Sequence, residues 1–385
     1  MTRPEGDSGG IAVVLGTRPE LIKLAPVVKA LHGRVRLFHT GQHYDRRMSG
    51  TFLADLGLPR PEKTFAVGGM PRTAQIAAAA MELDMLFARD RPDAVVVQGD
   101  TNAALAGALA ANGSEVSLYH VEAGLRSYDR RMPEEHNRVL IDHLADVLCA
   151  ATPGNAENLL AQGISPQRIQ VTGNTIVEAA RSMLPAAPDR TALLQAFGVS
   201  PLGYVLATVH RPENTDDPGI LSGILAELGK IASASGKGVL LPLHPRTAAA
   251  ARSAGLEPLL APLRTVEPVG YRTFLALLAD AALAVSDSGG VQEEVTVLKK
   301  PLIVVRCSTE RPESMPDFAR LVPPGPEISR LAADWLAEGP ALHQRLAALP
   351  CPYGDEHVGE RIAALAEHRR PNCPPLLRSA ADPYL

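Results

Sequence analysis

The chain has 385 residues, is 46% hydrophobic and 21% charged, and carries a formal net charge of −4; this is the profile of a soluble globular protein with room for two cores. That balance excludes a nucleic-acid or anionic-membrane partner, which would need concentrated positive charge. Four cysteines (Cys149, Cys307, Cys351, Cys373) lie far apart without a CxxC pair, so no metal or disulfide framework is expected and free thiols fit a reducing compartment. The polar opening MTRPEGDSGG does not read as a signal peptide, and no apolar run reaches membrane-spanning length; a cytoplasmic protein is expected.

Short apolar runs alternate with longer amphipathic or Ala-rich segments along the chain. The runs predict strands at Ile11–Gly16, Val35–Thr40, Ala94–Gln98, Val116–His120, Val147–Ala150 and Arg168–Thr172. A second series falls at Tyr204–Thr208, Val239–Leu243, Ala282–Ser286 and Pro301–Val305. Helices are expected between them, at Leu21–Leu31, Thr73–Arg89, Ala103–Asn112, Pro153–Gln162, Ile220–Ala234 and Val291–Leu298. The fold class is therefore α/β, with parallel sheets covered on both faces. Pro185, Pro188 and Pro201 separate the two series, which places the boundary near Asn174–Arg190. The expected domains are 1–174 and 175–355, followed by a helix at about 356–368 and a Pro-rich tail, 369–385.

In such folds ligands bind beyond the carboxyl ends of the strands, so the residues just past each strand are informative. After the first comes Gly16-Thr17-Arg18-Pro19-Glu20, with Arg18 beside a helix N-terminus. After Ala94–Gln98 comes Gly99-Asp100, where Asp100 serves equally well as a helix cap. Glu122 is expected in the next loop, and Glu134 at a helix start. Arg126 and Arg138 lie close enough to hold the two carboxylates apart, either for acid and base work or as a surface ion-pair lattice. In the second series, His210 and His244-Pro245-Arg246 come directly after strands. Asp287-Ser288-Gly289-Gly290 opens a helix whose bare backbone N–H groups suit a pyrophosphate, with Glu294 one turn in for a ribose. Arg311 is a candidate phosphate clamp. No GxGxxG, phosphate-loop or HExxH pattern is present, which disfavours dinucleotide redox chemistry and a metal.

Taken in order, GTRPE (16–20), GQH (41–43), GDT (99–101), HVEAGLR (120–126), PEEHNR (133–138), TGNT (172–175), HRPEN (210–214), DSGGVQEE (287–294), TERPE (309–313) and PYGD (352–355) resemble the non-hydrolysing UDP-N-acetylglucosamine 2-epimerases. The likeness runs from about Ile11 to Ala364. It implies a glycosyltransferase-B-like fold of two Rossmann-like domains, with the active site in the cleft between them and the last helix returning to the first domain. It also implies that Asp100, Glu122, Glu134 and His210 are catalytic, and that Arg18, Ser288, Gly289, Gly290, Glu294 and Arg311 bind UDP. His244 joins them as a donor, and Phe274 as a surface for uracil. The implied reaction eliminates UDP to a 2-acetamidoglucal and re-adds it after protonation on the opposite face, without cofactor or metal. A homodimer is expected.

Two departures from many bacterial members qualify the resemblance. Pro212 replaces a second arginine in HRPEN, and Tyr44-Asp45 comes after GQH where Arg-Gln is usual. Because that region helps hold an activating UDP-sugar in those members, an enzyme that needs no activator is expected. Both variants also resemble the branch acting on UDP-2,3-diacetamido-glucuronic acid, although GTRPE favours the simpler sugar. Further competitors are a glycosyltransferase of the same fold, a hydrolysing epimerase and a UDP-sugar-binding protein without turnover.

Overall fold

The structure, a computed structural model, describes residues 9–42 and 53–368. His43, Tyr44, Asp45 and the tail 369–385 lie outside the described residues. Two compact units emerge: the first runs to Glu178 and resumes at Gly354, and the second spans Ala179–Tyr353.

The first unit is built on a seven-stranded sheet. Its strands are β1 (Ile11–Leu15), β2 (Val35–His39), β3 (Lys63–Thr64), β4 (Ala94–Gln98), β5 (Ser117–Ala123), β6 (Val147–Ala150) and β7 (Ile169–Val171), in the order β3-β2-β1-β4-β5-β6-β7. Every pairing is parallel. The runs IAVVL and AVVVQ are buried along their whole length, because helices cover both faces of a parallel sheet. The second unit carries β8 (Tyr204–Thr208), β9 (Gly238–Pro242), β10 (Arg264–Val266), β11 (Leu283–Ser286), β12 (Leu302–Val305) and β13 (Ala319–Val322). Its order is β10-β9-β8-β11-β12-β13, again entirely parallel.

Each sheet reverses its winding once. The reversal lies between β1 and β4 in the first unit and between β8 and β11 in the second. At such a point two loops diverge to opposite faces and leave a crevice at the carboxyl ends of the strands. The candidate residues sit there: Arg18 after β1, Asp100 after β4, His210 after β8, and Ser288 to Gly290 after β11.

The ten expected strands all form, most with ends shifted by a residue or so. The main correction is at β5, which runs on through Glu122 to Ala123 instead of stopping at His120. Strands β3, β10 and β13 gave no usable pattern; they are short, β3 is exposed throughout and β10 is largely exposed. The helix Arg18–Ala30 starts earlier than expected, since Thr17 and Glu20 form a capping box at its first turn. A further helix, Val358–His368, packs on it.

That contact is close. A Cβ built on Gly359 would stand 2.7 Å from the backbone carbon of Pro26. The Gly359 N–H donates to Glu178 at 2.6 Å, and burial raises the Glu178 carboxyl above its ordinary value. Backbone on one side and a hydrogen bond on the other leave little room to give. Gly359→Ala is therefore expected to destabilise the first unit by about 1–3 kcal/mol despite alanine's better helix propensity, measured by urea unfolding; an unchanged midpoint would show that the two helices part freely.

Candidate active site

In the first unit, Asp100 comes just after β4 and Glu122 lies on the neighbouring strand β5. The capping alternative for Asp100 is settled by its neighbour. Thr101 is the N-cap of the helix Asn102–Gly113, accepting from the N–H of Ala104 at 3.0 Å. Asp100 is thus available for other work, and its carboxylate takes two donors from the guanidinium of Arg138, at 2.6 and 3.1 Å. Asn137 Nδ2 donates to the Asp100 carbonyl at 2.8 Å, so both halves of the residue are held from the helix Pro133–Leu144.

Glu122 is buried and has a left-handed backbone, φ +65. It occupies the shift in register between Val121 and Ala123 on β5, an irregularity that re-aims a side chain out of the alternating pattern. A non-glycine residue in that region is strained by about 1–3 kcal/mol and is retained where the surroundings demand it. Here they do. Glu122 Oε2 accepts from Lys23 Nζ at 2.5 Å and from Gln98 Nε2 at 2.7 Å. Lys23 is itself buried within the helix Arg18–Ala30.

The two arginines expected to separate the glutamates have other partners. Arg126 pairs with Asp142 at 2.7 Å, and Arg138 with Asp100 and with Glu135 at 2.9 Å. Glu134 stands exposed in the first turn of its helix, whereas the adjacent Glu135 is buried and accepts from Ser127. Arg18 is exposed at the start of its helix.

Glu20 ties the two loops at this switch point together. Its Oε2 accepts from the N–H groups of Gly16 and Thr17 at 2.9 and 2.8 Å, and its Oε1 from the hydroxyl of Thr101 at 2.7 Å. Burial pushes its carboxyl up to about 7, with these hydrogen bonds offsetting part of the effect.

In the second unit, His210 comes after β8, and Asp287 after β11 in complete burial. The His210 and His244 rings lie 5.4 Å apart with a 39° tilt. His244 is the N-cap of the helix Pro245–Ser253, accepting from Arg246 N at 3.2 Å. Burial lowers its pKa, helped by the charges of His210 and Arg246.

Ser288, Gly289 and Gly290 open the helix Gly289–Leu298. The two glycines serve different ends. A Cβ on Gly289 would meet Arg311 at 2.6 Å, so this glycine admits the guanidinium to the helix start. Arg311 is fixed there by Glu293 at 2.7 Å and by a close contact with Glu310. A Cβ on Gly290 would meet nothing nearer than Ser288 Oγ and Glu294 Oε1, both at 4.0 Å. Its bareness leaves open space over the helix N-terminus, where backbone N–H groups and the helix dipole favour an anion. Glu294 is buried beside Tyr271, whose hydroxyl is held well above its ordinary value by burial and by the Glu294 carboxylate. Phe274 is half-buried on the helix Tyr271–Asp280 against the second unit's core.

The structure therefore places Asp100 just past β4 and Glu122 on the neighbouring strand β5, and His210 with His244. It also gathers Ser288, Gly289, Gly290, Glu294 and Arg311 around one helix start. Sequence reasoning missed Glu20, Lys23 and Asp287 as members of these clusters. The signal for Lys23 was present: a lysine inside the apolar run LIKLAPVV has to be buried with a partner. Among the described residues, no group of three or more His, Cys, Asp or Glu is placed to hold a metal, and no helix is long and apolar enough to cross a membrane.

The proton on Glu20 has a consequence for stability. Its folded pKa lies near 7 against an ordinary 4.5, so its contribution is fully present below about 4.5 and lost as pH rises through about 7. Glu20→Gln, which mimics the neutral form, should gain roughly 3 kcal/mol on the wild type between about pH 4.5 and 8. Melts of both proteins across that range test this, and parallel curves would overturn it.

Comparison with known proteins gives the family. The family model described as UDP-N-acetylglucosamine 2-epimerase matches residues 28–367. The UDP-N-acetylglucosamine 2-epimerase of Methanococcus maripaludis is 41% identical over 311 residues, covering 79% of this chain and 85% of its own. The UDP-2,3-diacetamido-2,3-dideoxy-D-glucuronate 2-epimerase of Pseudomonas aeruginosa is 37% identical over 306 residues, covering 78% and 84%. Among solved structures, the UDP-GlcNAc 2-epimerase of Methanocaldococcus jannaschii in complex with UDP-GlcNAc and UDP aligns with a TM-score of 0.82 at 38% identity, over 92% of this chain and 99% of that one. The UDP-GlcNAc-bound enzyme of Neisseria meningitidis aligns with a TM-score of 0.82 at 30% identity, over 92% and 98%. With two parallel α/β units of the glycosyltransferase-B kind, the chain belongs to the UDP-N-acetylglucosamine 2-epimerase family.

Proposed function

We propose that the protein inverts carbon 2 of UDP-N-acetylglucosamine, giving UDP-N-acetylmannosamine without cofactor or metal. The observation that carries this reading is the placement of two cation-held carboxylates on neighbouring elements of the first sheet, Asp100 just past the end of β4 and Glu122 on β5 beside it. A glycosyltransferase would use the nucleotide cradle proposed for the second unit but would not need three carboxylates, Asp100, Glu122 and Glu134, around carbon 2.

The hydrogen on carbon 2 is too weakly acidic to be taken from the intact sugar. In the proposed reaction the bond from carbon 1 to UDP breaks, with its electron pair leaving on the β-phosphate. A carboxylate takes the carbon-2 proton, and a double bond forms between carbons 1 and 2. Protonation of carbon 2 from the opposite face and attack of UDP on carbon 1 complete the inversion, with no net change in atoms or electrons. Asp100, Glu122 and Glu134 supply the acid and base groups. The open helix start at Ser288–Gly290, with Arg18, Arg311, His210 and His244, receives the charge of departing UDP. Glu294 takes the ribose, and Phe274 packs on uracil.

The same proposal makes the enzyme a cytoplasmic homodimer that needs no activating UDP-sugar. Met81, Met85, Leu109 and Leu140 support the dimer: they are exposed on three helices of the first unit that pack side by side. A single-chain mass in sedimentation would remove that part. Sigmoidal rates with UDP-N-acetylglucosamine alone would remove the absence of activation.

A proton NMR time course with UDP-N-acetylglucosamine in D2O tests the reaction. The expected outcome is UDP-N-acetylmannosamine carrying deuterium at carbon 2. Turnover confined to the diacetamido-glucuronate substrate would move the assignment to that branch, and free N-acetylmannosamine would move it to hydrolysis. Asp100→Asn, Glu122→Gln and Glu134→Gln should each lower kcat on the order of 100-fold or more while leaving UDP binding within a few-fold. Gly290→Ala should leave the melting temperature unchanged or slightly raised, since Gly290 has open space around it, yet weaken UDP binding at least ~10-fold in calorimetry. Normal affinity in that variant would take the helix start out of the cradle.

A further inference from the structure

Asp287 reaches across the switch point of the second sheet and uses its two oxygens differently. Oδ2 accepts from the N–H groups of His210 and Arg211, each at 2.9 Å, and from Asn214 Nδ2 at 3.1 Å. Those three donors account for the loop after β8. Oδ1 takes none of them and lies 3.1 Å from His210 Nδ1. One buried side chain therefore bonds the backbone of His210 and lies against the ring of the same histidine, and Asn214 is braced in turn against the carbonyl of Val305 at 2.9 Å.

We propose that Asp287 is the positioning residue of His210, holding the imidazole with Nδ1–H toward its own carboxylate so that Nε2 is the ring nitrogen that exchanges a proton at the site. A carboxylate accepts but does not donate, so a neutral ring facing it carries its proton on Nδ1. Protonation at Nε2 then gives an imidazolium whose Nε2–H passes its proton to the β-phosphate oxygen as UDP departs, and the same proton returns to Nε2 when UDP adds back to carbon 1. The inference rests on the functional reading above, in which His210 serves departing UDP.

The surroundings keep Asp287 in its charged form. Burial opposes the charge, but the facing His210 ring, with the N–H groups of Arg211 and His210, holds the carboxyl below its ordinary value. Other charged and titratable groups around this loop are His244, tilted against the ring, Arg246 beside His244, Arg211 with its partner Glu310 at 3.9 Å, and Arg306, which meets Glu310 and Glu213. His244 Nδ1 already accepts from its own helix start, so this ring does not compete for Asp287.

Asp287→Asn separates positioning from mere loop support. The amide oxygen still accepts from the backbone donors, whereas the amide N–H groups now face Nδ1 and force the ring proton onto Nε2. Long-range proton–nitrogen NMR of the His210 ring, assigned with His210→Asn and recorded where the ring is neutral, reads the tautomer directly. The wild type should show Nδ1–H and a bare Nε2, and Asp287→Asn the reverse. The variant's kcat should fall on the order of 100-fold, with KM and UDP affinity within about threefold. Adding Asp287→Asn to His210→Asn should cost nothing more. A bare Nδ1 in the wild type, wild-type kcat in the variant, or independent losses in the double variant would each overturn the proposal. The ring spectra need no turnover and no variant of Asp287. A wild type that fails to epimerise would therefore sink the functional reading while the tautomer still decides the positioning.

Discussion

Burial of both faces of a parallel sheet is the constraint on which the rest of this molecule depends. Strands such as IAVVL and AVVVQ have helices above and below, so a charged side chain has no place along them. Chemistry is pushed to the carboxyl ends, and within those ends to the points where the winding reverses. Both units obey the rule: β1 and β4 in one and β8 and β11 in the other carry Arg18, Asp100, His210, Asp287 and the Gly289–Gly290 helix start. Glu122 is the exception that proves costly. It sits within a strand and needs a shift in register and a left-handed backbone to turn its carboxylate out of the core.

Charges confined to such places have lost most of their water, and each needs a partner to remain charged. Lys23 answers Glu122, Arg138 answers Asp100 and Glu135, Arg311 answers Glu293, and Asp287 answers His210. Deeper still, Asp142 joins His120 and Arg126 at 2.7 Å each, and His120 meets the carbonyl of Gly99 at 2.8 Å. That network lies next in the chain to Asp100 on one side and two residues before Glu122 on the other. Glu20 differs: burial pushes its carboxyl up to about 7, against the backbone and hydroxyl donors around it. Rigid placement of the site and local charge balance are thus one arrangement, with the same bonds serving both.

Much of this was legible from the chain alone. Continuous apolar runs and turn residues located ten of the thirteen strands among the described residues, in sequence order. The short segments after them, among them GTRPE, HVEAGLR and DSGGVQEE, carried the family. The three strands that escaped are brief edge or near-edge pieces, stabilised by the neighbour they pair with and not by any pattern of their own.

The α/β class, the family and the set of chemically able side chains were determined by the sequence itself, because hydrophobic period and motif spacing are local properties. Which side chain answers which was decided only by the tertiary structure. Lys23 and Glu122 are separated by 99 positions and Asp287 and His210 by 77, yet each pair is in contact. Arg126 and Arg138, expected to hold Glu122 and Glu134 apart, proved to serve Asp142, Asp100 and Glu135. Contacts of this kind depend on strand order and on the register of neighbouring strands, and no single segment of the chain encodes either one.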